Sequence, residues 1–402
     1  MSQETPIESA SLLPLEQSQM IAEKQARFVI AIPKEKDSQE NRVALTPDSI
    51  TVLVKNDVEV WVEKGAGTKA NFLDSDYMLA GARIVESHAE IFTADCIVKI
   101  NPLTPAELDA IRPGVILFSA FQDGQNQESY IKALQNKKIT FLAFEHLQDH
   151  IGDRTIVRAM SEIAGSAVLL IATEYLSSVH AGKGIVLGGI TGVPPTQVLI
   201  LGAGTVAEYA ARSAMGLGAS IKIFDSQLYR LKRIQQILGH NTYTGLIDDK
   251  NLQKALKEAD VVIGALRANE LLEGFKIPEE WIEAMKQNSV IIDVSIDQGG
   301  CFETSKVTSH YSPVYKQHGV IHYCVPNIAS RFAHTASLAL SNILFPILLK
   351  IVREGGLDEL IYKYAWLMKA VVTHKGAITN ANIAKKYNLK HKDLGLFTAG
   401  IN

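Results

Sequence analysis

The feature that most constrains the fold is a glycine turn between two apolar runs. The apolar run at 197–201 leads into Gly202-Ala-Gly204, and a second apolar run ends in Asp225. Gly202 permits a tight turn, Gly204 lets backbone N–H groups approach a pyrophosphate, and Ala207 allows a helix to pack closely on a strand. This strand–turn–helix–strand order, closed by a carboxylate, predicts a dinucleotide-binding unit.

The helix after the turn completes the expected cofactor site. It begins near Thr205 and Val206, and the positive end of its dipole suits phosphates. Asp225 falls where its carboxylate can accept hydrogen bonds from the adenosine ribose hydroxyls. We also expect Arg230 to contact the cofactor. The alternative interpretation of this stretch is an ordinary glycine turn without a ligand.

Composition limits the class of protein. The chain has 402 residues, more than one hydrophobic core usually organises, and its 47% hydrophobic and 21% charged content is typical of packed globular domains. The net charge of −3 offers no electrostatic footprint for nucleic acid or an anionic membrane. The three cysteines form no CxxC motif, and no His/Cys cluster has metal-ligand spacing. We expect two domains, reduced thiols in a cytoplasmic protein, and no bound metal.

Two stretches bear on targeting and membrane insertion. Residues 1–27 are polar and acidic, which predicts an N-terminal arm and no signal peptide. The most apolar stretch, 338–352, contains Pro346 and Lys350, and we expect it to be too short and too polar to span a bilayer. We therefore predict a buried core helix at 338–352 and no membrane insertion.

Short β-rich runs that alternate with helical patterns predict the fold class. Those before the glycine turn lie at 28–32, 58–62, 97–100, 115–118 and 139–144. Those from the turn onward lie at 197–201, 220–225, near Thr242, and at 261–264, 290–294 and 320–325, which would make a six-stranded sheet. The pattern predicts an α/β protein with two Rossmann-like, doubly wound parallel-sheet domains and a cleft between them.

Long helical stretches suggest the domain boundaries. A helix is predicted from Met160 to Leu176 with Ser161 as its N-cap, and from about His334 the pattern returns to helix and should dock on the first domain. The resulting division is an N-terminal arm at 1–27, a discontinuous catalytic domain at 28–155 and 334–402, and an NAD-binding domain at 156–333.

Three polar residues are expected at the cleft. Ligands bind beyond the carboxyl ends of the strands in a doubly wound sheet, so Asp297 should lie near the nicotinamide; the alternative is a turn-forming aspartate. Asn327, at the tip of the last strand, could bind the carboxamide or ribose, or could only shape the turn. Arg42 lies between a strand and a helix, where it could grip a carboxylate bidentately or be a solvated loop charge.

Several blocks of sequence, taken in their order along the chain, identify a family. They are Ile32-Pro-Lys-Glu, Glu40-Asn-Arg-Val-Ala-Leu-Thr-Pro47, Glu63-Lys-Gly-Ala-Gly67, Met160-Ser-Glu-Ile-Ala-Gly165, Gly188-Gly-Ile-Thr-Gly-Val-Pro194, the Gly202 turn, Asp293-Val-Ser-Ile-Asp-Gln-Gly-Gly-Cys-Phe-Glu303 and Tyr323-Cys-Val-Pro-Asn327. From about residue 28 the chain resembles the superfamily of alanine dehydrogenases and transhydrogenase α-subunits. The block that ends in Glu303 is more similar to alanine dehydrogenases.

The resemblance implies roles for individual residues. It implies NAD in the second domain and a homo-oligomer, which we expect to be a hexamer or a dimer. In alanine dehydrogenases an arginine matching Arg42 binds the substrate carboxylate, and an aspartate matching Asp297 lies by the reacting carbon. Ser161 matches a serine near the cofactor phosphates. Asp225 matches the acid on the ribose and favours NAD over NADP, because a 2′-phosphate would meet a like charge.

Two positions depart from the alanine dehydrogenase pattern. Asn101 stands where those enzymes have a lysine, and Gln122 stands where they have a catalytic histidine. Asn and Gln can hydrogen-bond a carbonyl, but neither carries a proton at neutral pH. His146 and His322 are the nearest alternative proton carriers by topology, although each is more readily interpreted as a packing or surface histidine.

The resemblance thus predicts an NAD-dependent, reversible oxidative deamination of L-alanine, or of a related small amino acid, to a 2-oxo acid and ammonia. Arg42 would hold the carboxylate, Asp297 would stabilise the iminium, and Asn101 and Gln122 would hold the carbonyl oxygen. The alternative is a transhydrogenase α-subunit-like protein, which passes hydride to a second nucleotide on a partner subunit. A third possibility is an NAD-binding protein with a different or lost reaction.

Overall fold

The structure, a computed structural model, describes residues 27–122, 127–239, 242–266 and 276–397. The predicted N-terminal arm at 1–27 lies outside these ranges, except for its last residue. The described strands, numbered along the chain, are β1 (Val29–Ile32), β2 (Glu59–Glu63), β3 (Arg83–Val85), β4 (Cys96–Val98), β5 (Ile116–Ser119), β6 (Thr140–Ala143), β7 (Gln197–Leu201), β8 (Ser220–Asp225), β9 (Tyr243–Leu246), β10 (Val261–Gly264), β11 (Val290–Asp293), β12 (Val314–Gln317), β13 (Val320–Tyr323), β14 (Val371–His374) and β15 (Ala377–Ile378).

The described helices are α1 (Pro47–Val54), α2 (Asp74–Leu79), α3 (His88–Ile91), α4 (Pro105–Ala110), α5 (Gln127–Asn136), α6 (Thr155–Leu176), α7 (Thr205–Gly216), α8 (Leu228–Leu238), α9 (Asp249–Glu258), α10 (Glu279–Glu283), α11 (Ala333–Arg353), α12 (Leu357–Lys363), α13 (Ala365–Met368) and α14 (Ala381–Lys386). Short 3₁₀ turns include Phe144–His146, Ile296–Gln298 and Ile328–Phe332.

The strands form two sheets. The first has the order β15-β14-β6-β5-β4-β1-β2-β3, and the second has the order β12-β13-β11-β10-β7-β8-β9. Pairing is parallel except where β12, β14 and β15 add antiparallel strands at the edges. Central strands such as β10 and β11 are buried along their whole length, as expected where helices cover both faces of a parallel sheet. The predicted α/β fold with two doubly wound sheets is confirmed.

Each sheet has one point where the chain reverses its direction of winding. In the first sheet the chain goes from β1 through β2 to β3, then returns to place β4 on the other side of β1. In the second sheet it goes from β7 through β8 to β9, then returns to place β10 on the other side of β7. Ligands of doubly wound sheets bind beyond the carboxyl ends of the strands at such switch points. The loops after β1, β4, β7 and β10 are therefore where sites are expected.

The sheets contain more strands than the sequence pattern predicted. The second sheet has seven strands because β12 pairs antiparallel with β13 through the two-residue turn His318-Gly319, where both residues have positive φ. This strand was missed because it is half polar and lies at an edge. In the first sheet β3 was missed, and β14 and β15 interrupt the helical pattern expected after His334.

The long helix before the second sheet begins earlier than predicted. We expected it to start at Met160 with Ser161 as its cap, but α6 begins at Thr155 and its N-cap is Arg154. Ser161 lies inside the helix, so the capping role is wrong. Ile156 is buried against the first core, and this contact extends the helix by more than a turn toward its N-terminus.

Two helices are long and apolar enough to meet a membrane-span criterion among the described residues: Thr155–Leu176, and Ile328–Arg353, which includes the 3₁₀ turn before α11. The expectation that the stretch around 338–352 is too short and too polar is wrong by this criterion, because Pro346 stays inside a longer helix. In each helix 44% of the apolar window is buried. Leu340, Leu344 and Leu348 of α11 pack in the first core, and core helices of globular proteins meet the same criterion.

Candidate functional site

The loop after β1 places an arginine on a buried glutamate. Arg42 contacts Glu40 in a bidentate manner, with Nε 2.7 Å from Oε1 and Nη2 2.6 Å from Oε2. The Arg42 side chain is 11% exposed and that of Glu40 is fully buried. Burial acts to raise the pKa of Glu40, but the charge and hydrogen bonds of Arg42, with a bond from Asn327, outweigh it and lower that pKa. Glu40 is therefore an anion that holds the guanidinium in place.

Asn327 joins this loop to the second sheet. It follows β13 with a left-handed backbone (φ 60°), and its Nδ2 donates to Glu40 Oε2 at 2.9 Å. Ser330 Oγ accepts from Asn41 N at 2.8 Å. This is a second bond between the loop after β1 and the segment that follows β13. The Asn327 amide predicted to bind the cofactor is thus engaged by Glu40, and its cofactor role stays a prediction.

The loops after β4 and β5 bring Asn101 and Gln122 together. Gln122 Nε2 donates to Asn101 Oδ1 at 3.2 Å. The backbone of Gln122 is left-handed (φ 44°), and the N–H groups of Phe121 and Gln122 donate to the Glu145 carboxylate at 2.9–3.2 Å. Glu145 follows β6 and was not singled out from the sequence. It holds the turn that presents Gln122 beside Asn101.

The second switch point carries a pocket of about 270 Å³. Six residues predicted to bind the cofactor line it: Ser161, Gly204, Thr205, Val206, Asp225 and Arg230. Gly202 and Asn327 are not among its described lining residues. The structure therefore collects six residues that are far apart in sequence around one cavity, at the place where dinucleotides bind in such sheets.

The two glycines of the turn have different tasks. Gly202 has φ 106°, and a Cβ built on it would lie 2.5 Å from the carbonyl oxygen of Ala265, so the side-chain-free backbone lets β7 approach β10. A Cβ built on Gly204 would have no described atom within 4 Å. Gly204 is the N-cap of α7, where the described part of the chain supplies no side-chain cap. The open space and uncapped N–H groups suit a phosphate.

Asp225 is more enclosed than the sequence suggested. Its side chain is 1% exposed, Oδ1 accepts from Gln227 N at 2.7 Å, and Oδ2 accepts from Ala203 N at 2.7 Å. Each carboxylate oxygen can accept a further hydrogen bond, so these contacts leave capacity for a ribose hydroxyl. The carboxylate also ties the end of β8 to the glycine turn.

An arginine that sequence reasoning missed lies in the same pocket. Arg233 lines it, donates from Nη2 to Ala203 O at 3.0 Å, and has Nη1 3.3 Å from Glu208 Oε2. It follows Arg230 by three residues on α8, a spacing that puts both side chains on one helix face. That spacing was the available signal. Each guanidinium faces a carboxylate, since Arg230 Nη1 lies 4.0 Å from Asp225 Oδ2 and Arg233 pairs with Glu208.

The loop after β11 is organised by an aspartate that was not predicted to act there. Asp293 is buried, and its carboxylate accepts from Ser295 N at 3.1 Å, Cys301 N at 2.7 Å and Ser305 Oγ at 2.6 Å. Burial raises the pKa of Asp293 in spite of these bonds. The loop leaves Asp297 exposed, in the 3₁₀ turn beyond the carboxyl end of β11. Asp297 therefore lies at the end of the sheet where we expected it, and its role beside the nicotinamide stays a prediction.

The two histidines considered as proton carriers differ in position. His322 is fully buried on β13, with Nε2 2.9 Å from Thr304 Oγ1 and Nδ1 3.1 Å from Val320 O. Burial lowers its pKa to about 4. His322 is therefore a packing residue. His146 is half-buried in the 3₁₀ turn after β6.

One dipeptide of α6 connects the two parts of the site. Met160 Sδ lies 3.3 Å from Nη1 of Arg42, and the next residue, Ser161, lines the pocket at the second switch point. The arginine and the pocket therefore contact neighbouring residues of one helix.

Known proteins share this architecture. The family model described as the alanine dehydrogenase/PNT N-terminal domain matches residues 31–164, and that of the alanine dehydrogenase/PNT C-terminal domain matches residues 167–381. The alanine dehydrogenase of Methanococcus maripaludis is 38% identical over 372 residues, covering 90% of this chain and 98% of that protein. Alanine dehydrogenase 2 of Staphylococcus aureus is 35% identical over 370 residues, covering 91% and 98%.

Solved structures give the same result. An L-alanine dehydrogenase has a TM-score of 0.81 at 33% identity and covers 90% of this chain and 99% of its own. A transhydrogenase from Sinorhizobium meliloti has a TM-score of 0.72 at 25% identity and covers 88% and 99%. The family resemblance predicted from the sequence blocks is confirmed, and so is the greater similarity to alanine dehydrogenases. The chain belongs to the alanine dehydrogenase/PNT family, and it is more similar to the alanine dehydrogenases than to the transhydrogenase.

Proposed function

We propose that this protein is an NAD-dependent alanine dehydrogenase that interconverts L-alanine, or a related small amino acid, with its 2-oxo acid and ammonia. The observation that carries the proposal is the Met160–Ser161 dipeptide. Met160 contacts the oriented guanidinium of Arg42, and the next residue, Ser161, lines the pocket. With its phosphates by Ser161, the cofactor would extend its nicotinamide beyond the pocket, toward a carboxylate held by Arg42.

The pocket residues fit NAD. The N–H groups of Thr205 and Val206 and the open space at Gly204 would hold the pyrophosphate, and Asp225 would accept bonds from the adenosine ribose. Arg230 and Ser161 would complete the contacts. When bound, NAD supplies the hydride acceptor of the reaction. We favour NAD over NADP because a 2′-phosphate would meet the carboxylate of Asp225.

The first lobe would hold the substrate. Nη2 already donates one N–H to Glu40, and Nη1 contacts Met160 Sδ, so Arg42 would bind the carboxylate through the remaining N–H groups of Nη1 and Nη2. Asn101 and Gln122 would hold the oxygen that becomes the 2-oxo group. Asp297 would stabilise the positive charge of the iminium and orient the attacking water.

The domain division and the assembly are part of the proposal. Because β14 and β15 join the first sheet beside β6, we propose that 28–155 and 334–402 form the catalytic domain around an inserted NAD domain at 156–333. We also propose a cytoplasmic homo-oligomer, as a hexamer or a dimer.

The second candidate is a transhydrogenase α-subunit-like role. Asn101 and Gln122 favour it, because an exchange of hydride between two nucleotides needs no proton carrier at these positions. The test is consumption of NADH by the purified protein with pyruvate and ammonia, set against NADH with an oxidised nicotinamide analogue. Turnover that depends on ammonia supports the dehydrogenase. No turnover with any 2-oxo acid, with NADH binding retained, refutes it.

A further inference from the structure

A line of charged side chains runs inward from the first switch point and out to the surface. Glu35, in the loop after β1, has Oε2 2.7 Å from Lys99 Nζ, and Lys99 Nζ is 3.7 Å from Glu107 Oε1. Glu107 Oε1 is 3.3 Å from His88 Nε2, and His88 Nδ1 is 2.9 Å from the Glu63 carboxylate. Five side chains from five separate segments thus form one continuous chain.

The inner members are almost completely enclosed. The side chains of Lys99 and Glu107 are each 1% exposed and that of Glu35 is 6% exposed, whereas His88 is 28% exposed and reaches solvent. Burial of charged groups is costly, and an apolar replacement of similar size is often as stable. A structural role alone therefore does not account for three charges in a row inside a small parallel-sheet domain.

The inner end of the line lies against the candidate site. Glu35 Oε1 accepts from Ile100 N at 2.6 Å, and Oε2 lies 3.4 Å from Asn101 N. Asn101 is the residue whose side chain accepts from Gln122. Glu35 thus contacts Asn101, and Asn101 contacts Gln122; these are the two positions where this chain lacks the proton carriers expected from its resemblance to alanine dehydrogenases.

A second observation concerns the middle of the line. Glu107 Oε1 and His88 Nε2 are buried atoms 3.3 Å apart, yet neither makes a hydrogen bond of good geometry within the described part of the chain. A carboxylate oxygen and an imidazole nitrogen at this distance can share one proton in either direction. Buried polar atoms without a hydrogen bond are rare in native proteins, so this pair of atoms needs an explanation. Exchange of a proton between Glu107 Oε1 and His88 Nε2 would explain why the two atoms face each other.

We propose that Glu35, Lys99, Glu107 and His88 form a proton relay that carries to solvent the proton released in the cleft. This inference rests on the proposed dehydrogenase function. Oxidation of the amino acid consumes one water and NAD⁺ and yields the 2-oxo acid, ammonium, NADH and one proton. That proton reaches the Glu35 carboxylate through a cleft water. Glu35 passes it to Lys99 as the Lys99 ammonium gives a proton to Glu107. Glu107 gives one to His88 Nε2, and the proton on His88 Nδ1 passes through the Glu63 carboxylate to solvent; no electrons move.

The surroundings of the relay suit this role. Burial raises the pKa of Glu35, in spite of the charge and hydrogen bonds of Lys99, and the nearby Glu40 acts in the same direction. A carboxylate with a raised pKa is a better temporary holder of a proton near neutral pH. The other groups that face the line are Tyr130, which is close to Glu107, and Glu63 and Phe92, which contact His88.

The test is Glu107→Gln. Gln keeps an oxygen for the Thr104 N–H that Glu107 now binds at 2.7 Å, so the cap of α4 survives, but it cannot take up a proton. We expect kcat for alanine oxidation to fall by about tenfold or more, with the KM values of alanine and NAD unchanged and a larger solvent deuterium isotope effect. Glu86→Gln is the matched control, because Glu86 is exposed, pairs with Lys64 and lies off the line.

The outcomes separate the relay from the proposed function. A wild type that turns over neither alanine nor a related small amino acid refutes both. An active wild type with an unchanged kcat and isotope effect in Glu107→Gln refutes the relay alone. If Glu107→Gln fails to fold, as judged by circular dichroism, His88→Gln is measured instead, since the half-exposed imidazole tolerates replacement. A loss of kcat with an unchanged isotope effect in His88→Gln also counts against the relay.

Discussion

The guanidinium of Arg42 is fixed by the carboxylate of Glu40 through two contacts, at 2.7 and 2.6 Å. That carboxylate is in turn held by Asn327 from the other lobe, at 2.9 Å. Arg42 is therefore oriented before any ligand arrives, and little side-chain entropy remains to be lost when it binds one. The Asn327 bond also joins the loop after β1 to the end of β13.

Arg42→Lys should weaken recognition of the 2-oxo acid. A lysine cannot keep the bidentate contact with Glu40 and also grip a carboxylate in a fixed plane. The loss of a charged hydrogen bond costs about 1.5–3 kcal/mol, so KM for pyruvate should rise by about 10–100-fold. Steady-state kinetics measure it, with the exposed Arg158→Lys as control. An unchanged KM for pyruvate would remove the assigned role.

Gly202→Ala should mainly lower stability, and Gly204→Ala should mainly weaken cofactor binding. Alanine at 202 combines an unfavourable φ of 106° with a contact at 2.5 Å, and should lower the free energy of unfolding by about 2 kcal/mol or more. Alanine at 204 has free space and φ −84°, so stability should change by only about 0.5 kcal/mol.

NADH binding should distinguish Gly204→Ala from the wild type. In Gly204→Ala the new methyl group occupies the approach of the pyrophosphate, so NADH affinity should fall although the fold is intact. Urea unfolding and NADH fluorescence titration check the pair. Wild-type NADH affinity in Gly204→Ala would show that no phosphate lies at the N-terminus of α7.

Asp225→Ala should alter both cofactor choice and stability. Removal of the carboxylate deletes the proposed ribose contacts and the like charge that opposes a 2′-phosphate, so the ratio of NADH to NADPH affinity should fall. It also leaves the N–H groups of Ala203 and Gln227 without their acceptor, which should lower the free energy of unfolding by about 1–3 kcal/mol. Asp225→Asn, which keeps an acceptor but no charge, separates the two effects. The same NADH affinity in Asp225→Ala and wild type would contradict the ribose contact.

His322 should make the protein less stable in mild acid. Its pKa is about 4 in the fold, where burial opposes the charge, against an ordinary value of 6.5. Between these values the unfolded chain binds the proton and the fold does not, so stability falls as the pH falls from 6.5 toward 4. From pH 7 to 5 the wild type should lose about 2 kcal/mol more than His322→Gln.

The measurement is urea unfolding of both proteins at pH 7 and 5, with His180→Gln as the control at an exposed imidazole. Equal pH dependence of the wild type and His322→Gln would mean that the imidazole is solvated or charged in the fold.

Local pattern was sufficient for much of the fold and for the family. The Gly202 turn, Asp225 and the alternation of apolar runs with helical stretches predict a nucleotide-binding doubly wound sheet, because tight turns, helix dipoles and burial act over short stretches of chain. Edge strands such as β12 escaped notice, since a half-exposed strand carries little apolar pattern. The start of α6 was misplaced because Ile156 is stabilised by a core built from distant residues.

The sequence by itself determined which chemical groups are present: a dinucleotide loop, an arginine for a carboxylate, and amides where proton carriers were expected. Only the tertiary structure decided that Arg42 is held by Glu40 and Asn327, that Arg233 joins the pocket, and that Glu35, Lys99, Glu107 and His88 stand in line. These contacts join loops at the ends of different strands. Their distances depend on the order of strands in the sheet, which no local stretch of sequence encodes.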